Sequence, residues 1–405
     1  MRIVLTGGGS GGHLTPLISV AGALRKMYAD GEVTFPPSRN SGLEIMYVGV
    51  VSEIDKDMLE AADIKWQHIP SGKIRRYISG AALTFVDMFV WLPIGILKAL
   101  WTMYVLMPET VFSKGGYGSI PVVVACWFYR IPVLMHETDI VPGMSNKKLA
   151  RFVSAVVVGF RKTEESFQAD RAFVAGTPLR SIFYNLPTKE EARSILNLHD
   201  RKPIIFVTGG SQGAQRINNL ILELLIKILP EFQVVHQVGQ LNYDPVMSFV
   251  NDTLKNFPDI NDYHVKGFMD EKTMGACFAA ADLVISRAGG TTLAELSAAA
   301  KPAILIPLGE SANNHQWENA YFYREAGAAV VVDESNLSPA LMESTIRRIF
   351  QRQSDLELMA SRSKQLARPS AALDIAQLIV QMGLGFMPRR KKDSDQVVYD
   401  KASAK

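Results

Sequence analysis

The sequence has few cysteines, little net charge and no recognisable secretory leader. Its two cysteines, Cys126 and Cys277, each lie in an apolar stretch, which excludes a disulfide-stapled or zinc-ribbon domain and favours buried thiols in a reducing compartment. Lys and Arg number 43 against 40 Asp and Glu, so no nucleic acid partner is expected. The chain runs from Met1 through a short β-branched stretch directly into glycines, which predicts a cytoplasmic location.

An uninterrupted apolar run long enough to span a membrane is also missing. Residues 80–107 are almost wholly apolar, but they are interrupted by Asp87, Pro93 and Lys98. A basic cluster stands immediately before them, formed by Lys73, Arg75 and Arg76. Basic residues beside an apolar helix predict a protein that rests on an anionic membrane surface without crossing it. The alternative interpretation is a buried helical hairpin that follows a solvated loop.

Length and repetition predict two α/β domains. A chain of 405 residues with 48% hydrophobic residues is long enough for two large domains. Residues 3–8 (Ile-Val-Leu-Thr-Gly-Gly) recur as residues 205–210 (Ile-Phe-Val-Thr-Gly-Gly), each time before a helical pattern. Strand-like runs alternate with helix-length segments, which favours two Rossmann-like, doubly wound parallel sheets whose strand ends face a cleft. The further predicted strands are residues 44–48, 131–135, 155–158, 233–235, 283–285, 303–306 and 329–332.

The first glycine loop is a candidate ligand site. Residues 7–12 hold five glycines around Ser10, so that backbone N–H groups, including those of Gly11 and Gly12, can approach a phosphate or sugar closely. The spacing does not match a dinucleotide fingerprint. His13 follows on the first turn of the predicted helix, where the positive helix end favours a neutral imidazole that can accept a proton. A purely structural histidine is the alternative.

Two loops in the second half repeat this logic. Residues 209–213 form another glycine loop, with Ser211 in it. Residues 286–296 follow a buried strand-like run and open a helix, whose first amides suit a diphosphate while Arg287 adds positive charge. Glu295, one turn further, is suited to accept two ribose hydroxyls. The alternative for Glu295 is a helix-capping role.

The remaining polar loops carry weaker signals. His315 and Gln316 begin a predicted helix after another strand-like run, which makes a contact with a sugar plausible. Tyr117 lies in a glycine-rich loop, and the His136-Glu137 pair lacks the spacing of a metal site. The acidic residues within the charged segment 388–405 follow no strand. We therefore expect neither a bound metal nor a cofactor.

Seven runs together resemble the MurG-type N-acetylglucosaminyltransferases of peptidoglycan synthesis. They occur in the family's order between residues 1 and 382, and they are residues 7–13, 115–117, 136–147, 176–180, 209–214, 287–295 and 315–320. The resemblance implies a GT-B fold, with a first domain at 1–182, a second at 183–366 and a helix at 367–387 that returns to the first. We expect residues 388–405 to be a disordered basic tail.

The resemblance also implies a reaction and its residues. N-acetylglucosamine would move from UDP-N-acetylglucosamine, with inversion and without an essential metal, to the muramoyl-pentapeptide carried on undecaprenyl diphosphate at the cytoplasmic face of the membrane. The general base would be His13, and the acceptor or membrane contacts Lys73, Arg75, Arg76 and Tyr117. The residues assigned to the sugar nucleotide are Ser10, Gly11, Gly12, Asp139, Arg180, Ser211, Met269, Arg287, Gly290, Thr291, Thr292, Leu293, Ala294, Glu295, His315 and Gln316.

Three departures from the family and three alternatives stay open. Asp139 stands where the family usually has Asn, residues 28–41 form a longer loop than expected, and residues 80–107 are unusually apolar. The alternatives are a transferase acting on another glycolipid, a UDP-N-acetylglucosamine 2-epimerase, and a catalytically inactive scaffold that binds UDP-sugar at a membrane. An epimerase needs no membrane patch, and the presence of both His13 and Glu295 counts against an inactive scaffold.

Overall fold

A computed structural model describes residues 1–8, 11–31, 42–72, 87–199, 201–210, 213–309, 314–390 and 397–401. The chain divides into two compact units. Unit 1 comprises Met1–Leu179 together with Pro369–Lys405, and unit 2 comprises Arg180–Arg368. Each unit has its own sheet and its own hydrophobic core.

Unit 1 is built on a seven-stranded parallel sheet in the order β3-β2-β1-β4-β5-β6-β7. The strands are β1 Arg2–Thr6, β2 Glu44–Gly49, β3 Lys65–His68, β4 Thr110–Ser113, β5 Val133–Glu137, β6 Ala155–Val158 and β7 Ala172–Val174. The winding reverses between β1 and β4. Ligands of such sheets bind outside the carboxyl ends of the strands at this reversal.

Six α-helices within the described residues cover the sheet of unit 1. They are α1 Gly11–Ala29, α2 Glu53–Ala61, α3 Leu92–Leu106, α4 Ile120–Tyr129, α5 Met144–Leu149 and, after unit 2, the helix Ala371–Gly383. This last helix presents an apolar stripe at i, i+3, i+4 and i+7 spacing, formed by Ala372, Ile375, Ala376 and Ile379. The stripe packs into the same core cluster as Leu17 and Leu24 of α1, so the chain end helps to bury one face of the sheet.

Unit 2 repeats the same strand order with six parallel strands, β10-β9-β8-β11-β12-β13. The strands are β8 Ile204–Thr208, β9 Gln233–Gln237, β10 Tyr263–Lys266, β11 Leu283–Ser286, β12 Ala303–Leu305 and β13 Ala329–Val331. The described helices are α6 Lys189–Leu196, α7 Gln215–Ile228, α8 Tyr243–Phe249, α9 Glu271–Ala280, α10 Gly290–Ala298, α11 His315–Glu325, α12 Pro339–Phe350 and α13 Gln353–Gln365. We number the last helix of the chain, Ala371–Gly383, α14.

The prediction of two doubly wound parallel sheets is confirmed. The repeated Thr-Gly-Gly segments follow β1 and β8, which occupy equivalent central positions in the two sheets. Cys126 and Cys277 are both buried free thiols, as expected.

The expected disordered tail is wrong over part of its length. Strand β14, Phe386–Arg390, pairs antiparallel with β15, Val397–Lys401. The second strand contains Val397, Val398 and Tyr399, which are β-branched and aromatic residues that favour a strand. The charge of the segment outweighed this local β preference in the sequence-based interpretation.

The apolar segment before β4 does not form the buried helical hairpin that was one of its two interpretations. A short π-helical stretch, Asp87–Trp91, leads into α3. The combined helix Asp87–Leu106 has 20 residues, and an 18-residue window within it has mean hydropathy 1.6 with only 22% of its residues buried. By length and composition alone it is able to cross a membrane. The described part of the segment is therefore mostly exposed, and a buried hairpin does not fit it.

Candidate functional site

Close backbone approach at the carboxyl edge of unit 1 explains its glycines. Gly8 follows β1 and Gly118 follows β4, and a Cβ on Gly8 would collide with the backbone of Gly118. Gly116 has φ +79°, a conformation that L-residues rarely adopt, and its amide donates to Asn146 Oδ1 at 3.0 Å. The two loops therefore meet at the switch point of the sheet.

His13 lies at this edge, in the first turn of α1. A Cβ on Gly116 would lie 3.6 Å from His13 Cε1, so the imidazole faces the glycine-rich loop that follows β4. Its buried Nδ1 has no hydrogen-bond partner in the described part of the chain. Burial, followed by the charge of Lys114, lowers the pKa of His13 to about 4, so the imidazole is neutral near pH 7. A neutral imidazole with an unused ring nitrogen is able to accept a proton.

A buried polar network adjoins His13 after β5. Glu137 accepts hydrogen bonds from the Asn146 side chain at 2.8 Å and from the amides of Gly143 and Asp139 at 3.0 and 3.1 Å. Lys114 donates to the Thr138 hydroxyl. Burial raises the pKa of Glu137, while Lys114 acts in the opposite direction. The network fixes the loop that carries Asp139.

In unit 2, the predicted ribose ligand is buried and incompletely paired. Glu295 lies in α10 and is only 4% exposed. Arg180 Nε lies 3.2 Å from Glu295 Oε1, but that oxygen accepts no hydrogen bond within the described residues. Burial raises the pKa of Glu295, and Arg180 opposes this shift. A buried carboxylate oxygen without a donor is suited to accept a ligand hydroxyl.

The helix α10 begins at the carboxyl end of β11, as the sequence predicted. Gly290 opens the helix after the N-cap residue Gly289, and Thr291 and Thr292 complete its first turn. No acidic residue lies in that turn, so the positive end of the helix dipole is not neutralised from within the helix. Leu293 and Ala294 continue the same helix, and the Leu293 amide already donates to Gly289.

The structure places Arg287 differently from the prediction. Its guanidinium donates to Glu334 and, at 3.2 Å, to the carbonyl of Ile306, instead of standing open toward a ligand. Glu334 also accepts from the Gly309 amide at 3.2 Å and lies 3.7 Å from Arg216 Nη1. One buried carboxylate thus joins the loops after β11, β12 and β13, and the Arg216 side chain is 71% exposed beside it.

The other predicted residues of unit 2 lie along the same edge. Gln316 Oε1 accepts from the Leu308 amide at 3.0 Å, and His315 is the first residue of α11. Asn319, one turn further, donates to the Ala288 carbonyl at 2.9 Å and so ties α11 to the loop before α10. Met269 is buried, and its sulfur lies 3.6 Å from that of Cys277.

Comparison with known proteins identifies the family. The N-terminal domain of glycosyltransferase family 28 matches residues 3–158, and its C-terminal domain matches residues 204–376. The chain belongs to glycosyltransferase family 28. Within it, the chain is 32% identical to the UDP-N-acetylglucosamine–N-acetylmuramyl-(pentapeptide) pyrophosphoryl-undecaprenol N-acetylglucosamine transferase of Treponema denticola, over 93% of this chain and 96% of that protein. The same-named transferase of Legionella pneumophila is 32% identical over 96% and 98%.

Solved structures agree on the fold of this family 28 transferase. MurG of Acinetobacter baumannii superposes with TM-score 0.67 at 24% identity, covering 93% of this chain and 98% of its own. A UDP-GlcNAc 2-epimerase of Neisseria meningitidis gives TM-score 0.60 at 14% identity, covering 93% and 99%. At these identities the likeness supports the fold alone. The sequence assignments of a GT-B fold, a glycosyltransferase and a MurG-type family are confirmed.

Some site predictions fall outside what the structure describes, and some important residues were missed. Ser10, Ser211, Lys73, Arg75 and Arg76 lie outside the described residues, and Gly11 and Gly12 are described only as helix backbone. Tyr117 is half-buried in a short 3-10 turn, and its carbonyl accepts from the Ser71 hydroxyl at 2.7 Å. The roles of Lys114, Arg216 and Glu334 were not anticipated. Lys114 follows a buried strand directly, which is a usable signal, whereas Glu334 carries none.

Proposed function

We propose that this transferase moves N-acetylglucosamine from UDP-N-acetylglucosamine to the muramoyl-pentapeptide of an undecaprenyl-diphosphate-linked acceptor, with inversion and without an essential metal ion. The observation that carries the proposal is 32% identity over nearly the whole length of relatives with that named activity. No group of three or more potential metal-ligating side chains occurs within the described residues. The buried groups at the two sheet edges support a division of roles.

The donor is proposed to bind to unit 2. Glu295 would accept hydrogen bonds from ribose hydroxyls, and the first turn of α10 would face the diphosphate. His315 and Gln316 would contact the sugar, and the backbone at Met269 would meet the uracil. The positive end of α10 then stabilises the negative charge that develops on UDP as the bond from the sugar breaks.

The acceptor is proposed to react at unit 1. An acceptor hydroxyl oxygen attacks the anomeric carbon from the face opposite UDP, and the electron pair of the broken bond leaves with the UDP oxygen. The hydroxyl proton passes to the neutral imidazole of His13. Inversion follows from a single displacement. The unused ring nitrogen and the low pKa of His13 support this role.

We further infer that the transferase binds the cytoplasmic face of the membrane peripherally, through α3. One face of α3 packs on unit 1, since a Cβ on Gly95 would collide with the Pro70 carbonyl and Ala99 is buried. The other face is apolar and open, with Leu97 and Trp101 each 68% exposed. A helix held along one side cannot leave the domain to span a bilayer, but it can lie in its interface.

Charge near α3 favours an anionic membrane surface. A groove of about 730 Å³ in unit 1 is bounded by the exposed aromatic residues Trp127 and Phe128 at the end of α4. Four arginines and one aspartate also line it: Arg130, Arg151, Arg171, Arg389 and Asp170. This excess of positive charge beside exposed aromatic side chains complements anionic headgroups.

Release of UDP tests the proposed reaction. The measurement uses UDP-N-acetylglucosamine in EDTA, with and without a short-chain lipid-linked muramoyl-pentapeptide. We expect UDP to form only when the acceptor is present. UDP binding without acceptor-dependent release would overturn the assigned acceptor, and formation of a 2-epimer without acceptor would establish the epimerase instead.

Vesicle sedimentation tests the membrane proposal. We expect the transferase to sediment with vesicles containing anionic phospholipid, and Leu97→Ser with Trp101→Ser to reduce the bound fraction at least tenfold, because two exposed apolar anchors are lost. The matched control is Leu358→Ser, an exposed leucine of unit 2. Equal binding by the double variant and the control would contradict the role of α3.

A further inference from the structure

Lys114 is a buried charged residue that the reaction scheme leaves without a role. It follows β4 directly and is 5% exposed. A Cβ on Gly7 would lie 3.3 Å from the Cβ of Lys114 and 3.9 Å from the Cβ of His13. The two side chains therefore start from adjacent positions at the switch point of the sheet. Burying an ammonium group is costly, so its presence beside His13 requires an explanation.

The charges that face His13 come from three different elements. Lys114 stands at the end of β4 and disfavours a protonated imidazole, whereas Asp139 after β5 and Asp55 in α2 favour one. Two tyrosines, Tyr47 and Tyr117, also lie near this edge, and burial, aided by the charge of Asp55, raises the pKa of Tyr47, so that it remains neutral. Of the charged groups that act on His13 within the described residues, Lys114 is positive and Asp139 and Asp55 are negative.

Asp139 supplies a negative charge that acts on His13 against the charge of Lys114. Lys114 is held against the same loop, because it donates to the hydroxyl of Thr138, the residue before Asp139. Burial lowers the pKa of Lys114, while the charges of Glu137 and Asp139 oppose this shift and favour the ammonium form. The lysine and the carboxylate therefore offset each other's charge next to the imidazole.

We propose that Lys114 is a positioning residue for the acceptor reaction: its ammonium group balances Asp139 beside the His13 imidazole and lowers the pH at which that imidazole becomes protonated. This inference rests on the proposed role of His13 as the base. The alternative is that Lys114 only holds the loop at Thr138, in which case its charge does not matter to His13.

Four proteins separate these possibilities: the wild type, Lys114→Met, Asp139→Asn and the double variant. NMR titration of the His13 ring, assigned with His13→Gln, gives its midpoint without requiring activity. We expect the midpoint to rise by about one pH unit in Lys114→Met, to fall in Asp139→Asn and to return near the wild-type value in the double variant. The acid limb of kcat/KM should move in the same order.

The matched control is Lys301→Met in unit 2. Lys301 is a partly buried lysine that donates to the carbonyls of Ala279 and Ala281, and it is not one of the charges that shift the pKa of His13. We expect it to leave the His13 midpoint and the acid limb unchanged. If Lys114→Met does not fold, Lys114→Gln takes its place, since it removes the charge and keeps a hydrogen-bond donor for Thr138. A His13 midpoint that rises in Lys114→Gln supports the proposal, and an unchanged midpoint overturns it.

The outcomes also separate this inference from the proposed function. An unchanged His13 midpoint in Lys114→Met and in the double variant overturns the role of Lys114, even if transfer is observed. If the wild type has no transferase activity but the His13 midpoint shifts in Lys114→Met, the proposed function is overturned and only the charge coupling between Lys114 and His13 remains. Wild-type activity in Lys114→Met, together with an unchanged His13 midpoint, would also contradict the proposal.

Discussion

The two sheet edges share a strand order and a glycine motif but differ in chemistry. At the edge of unit 1, the positive charge of Lys114 and the negative charges of Asp139 and Asp55 act on the neutral imidazole of His13. At the edge of unit 2, one buried carboxylate, Glu295, has an oxygen without a hydrogen-bond donor within the described residues, and it lies in the helix α10 that follows β11. The same scaffold thus presents a proton acceptor in one unit and a hydroxyl acceptor in the other, and function follows from the residues at the edge.

The largest expected effect is on turnover, and it tests the proposed base of unit 1. We expect His13→Ala to lower kcat by about 10³-fold, because the variant loses the contribution of a positioned general base. Steady-state kinetics with the lipid-linked acceptor measure this effect. A kcat within threefold of the wild type would mean that the base lies elsewhere or is water.

The next largest effect is on UDP affinity, and it tests the proposed ribose ligand of unit 2. We expect Glu295→Ala to weaken UDP binding by about 30-fold, since two hydrogen bonds from ribose hydroxyls to a buried charge are lost. Calorimetry with UDP and 2′-deoxy-UDP measures the difference. The variant should no longer distinguish the two nucleotides, and retention of the wild-type preference would contradict the assignment of Glu295 to the ribose.

A smaller effect sharpens the comparison within unit 2. Glu334 is buried, and although burial acts to raise its pKa, hydrogen bonds from Arg287 and the Gly309 amide lower it. We expect Glu334→Gln to cost about 1.5 kcal/mol of unfolding free energy, because the buried guanidinium of Arg287 keeps a neutral hydrogen-bond acceptor but loses its charge partner. Denaturant unfolding measures this. Glu343→Gln is the control. It removes a partly exposed carboxylate that pairs with Lys227 and Arg347, and it should change stability little.

The central strands and their loops were predictable because local pattern and topology agree there. Strands β1 and β8 are buried β-branched runs that end in glycines. Three strands escaped prediction at the sheet edges, namely β3, β7 and β10. Edge strands are short. Three of the four residues of β3, Lys-Trp-Gln-His, are polar, so it lacks the alternation of apolar and polar residues that marks a strand. Strand β4 also escaped prediction although it is central, because it has only four residues and follows a long apolar segment.

The same distinction applies to the candidate site. His13 and Glu295 lie within a few residues of a strand end, so motif and position were enough to find them. The pairing of Arg287 with Glu334 joins residues 47 positions apart, and no local pattern links them. Lys114 lies beside His13 only because β4 is adjacent to β1 in the sheet. Contacts of this kind depend on sheet order, which the sequence did not specify strand by strand.

Binding of UDP to His13→Ala and Glu295→Ala, measured side by side by calorimetry, tests the division of roles most directly. The account predicts that His13→Ala binds UDP within twofold of the wild type and does not turn over, whereas Glu295→Ala loses most of its UDP affinity. Loss of UDP affinity in His13→Ala, or unchanged affinity in Glu295→Ala, would contradict the assignment of the acceptor reaction to unit 1 and of the nucleotide to unit 2.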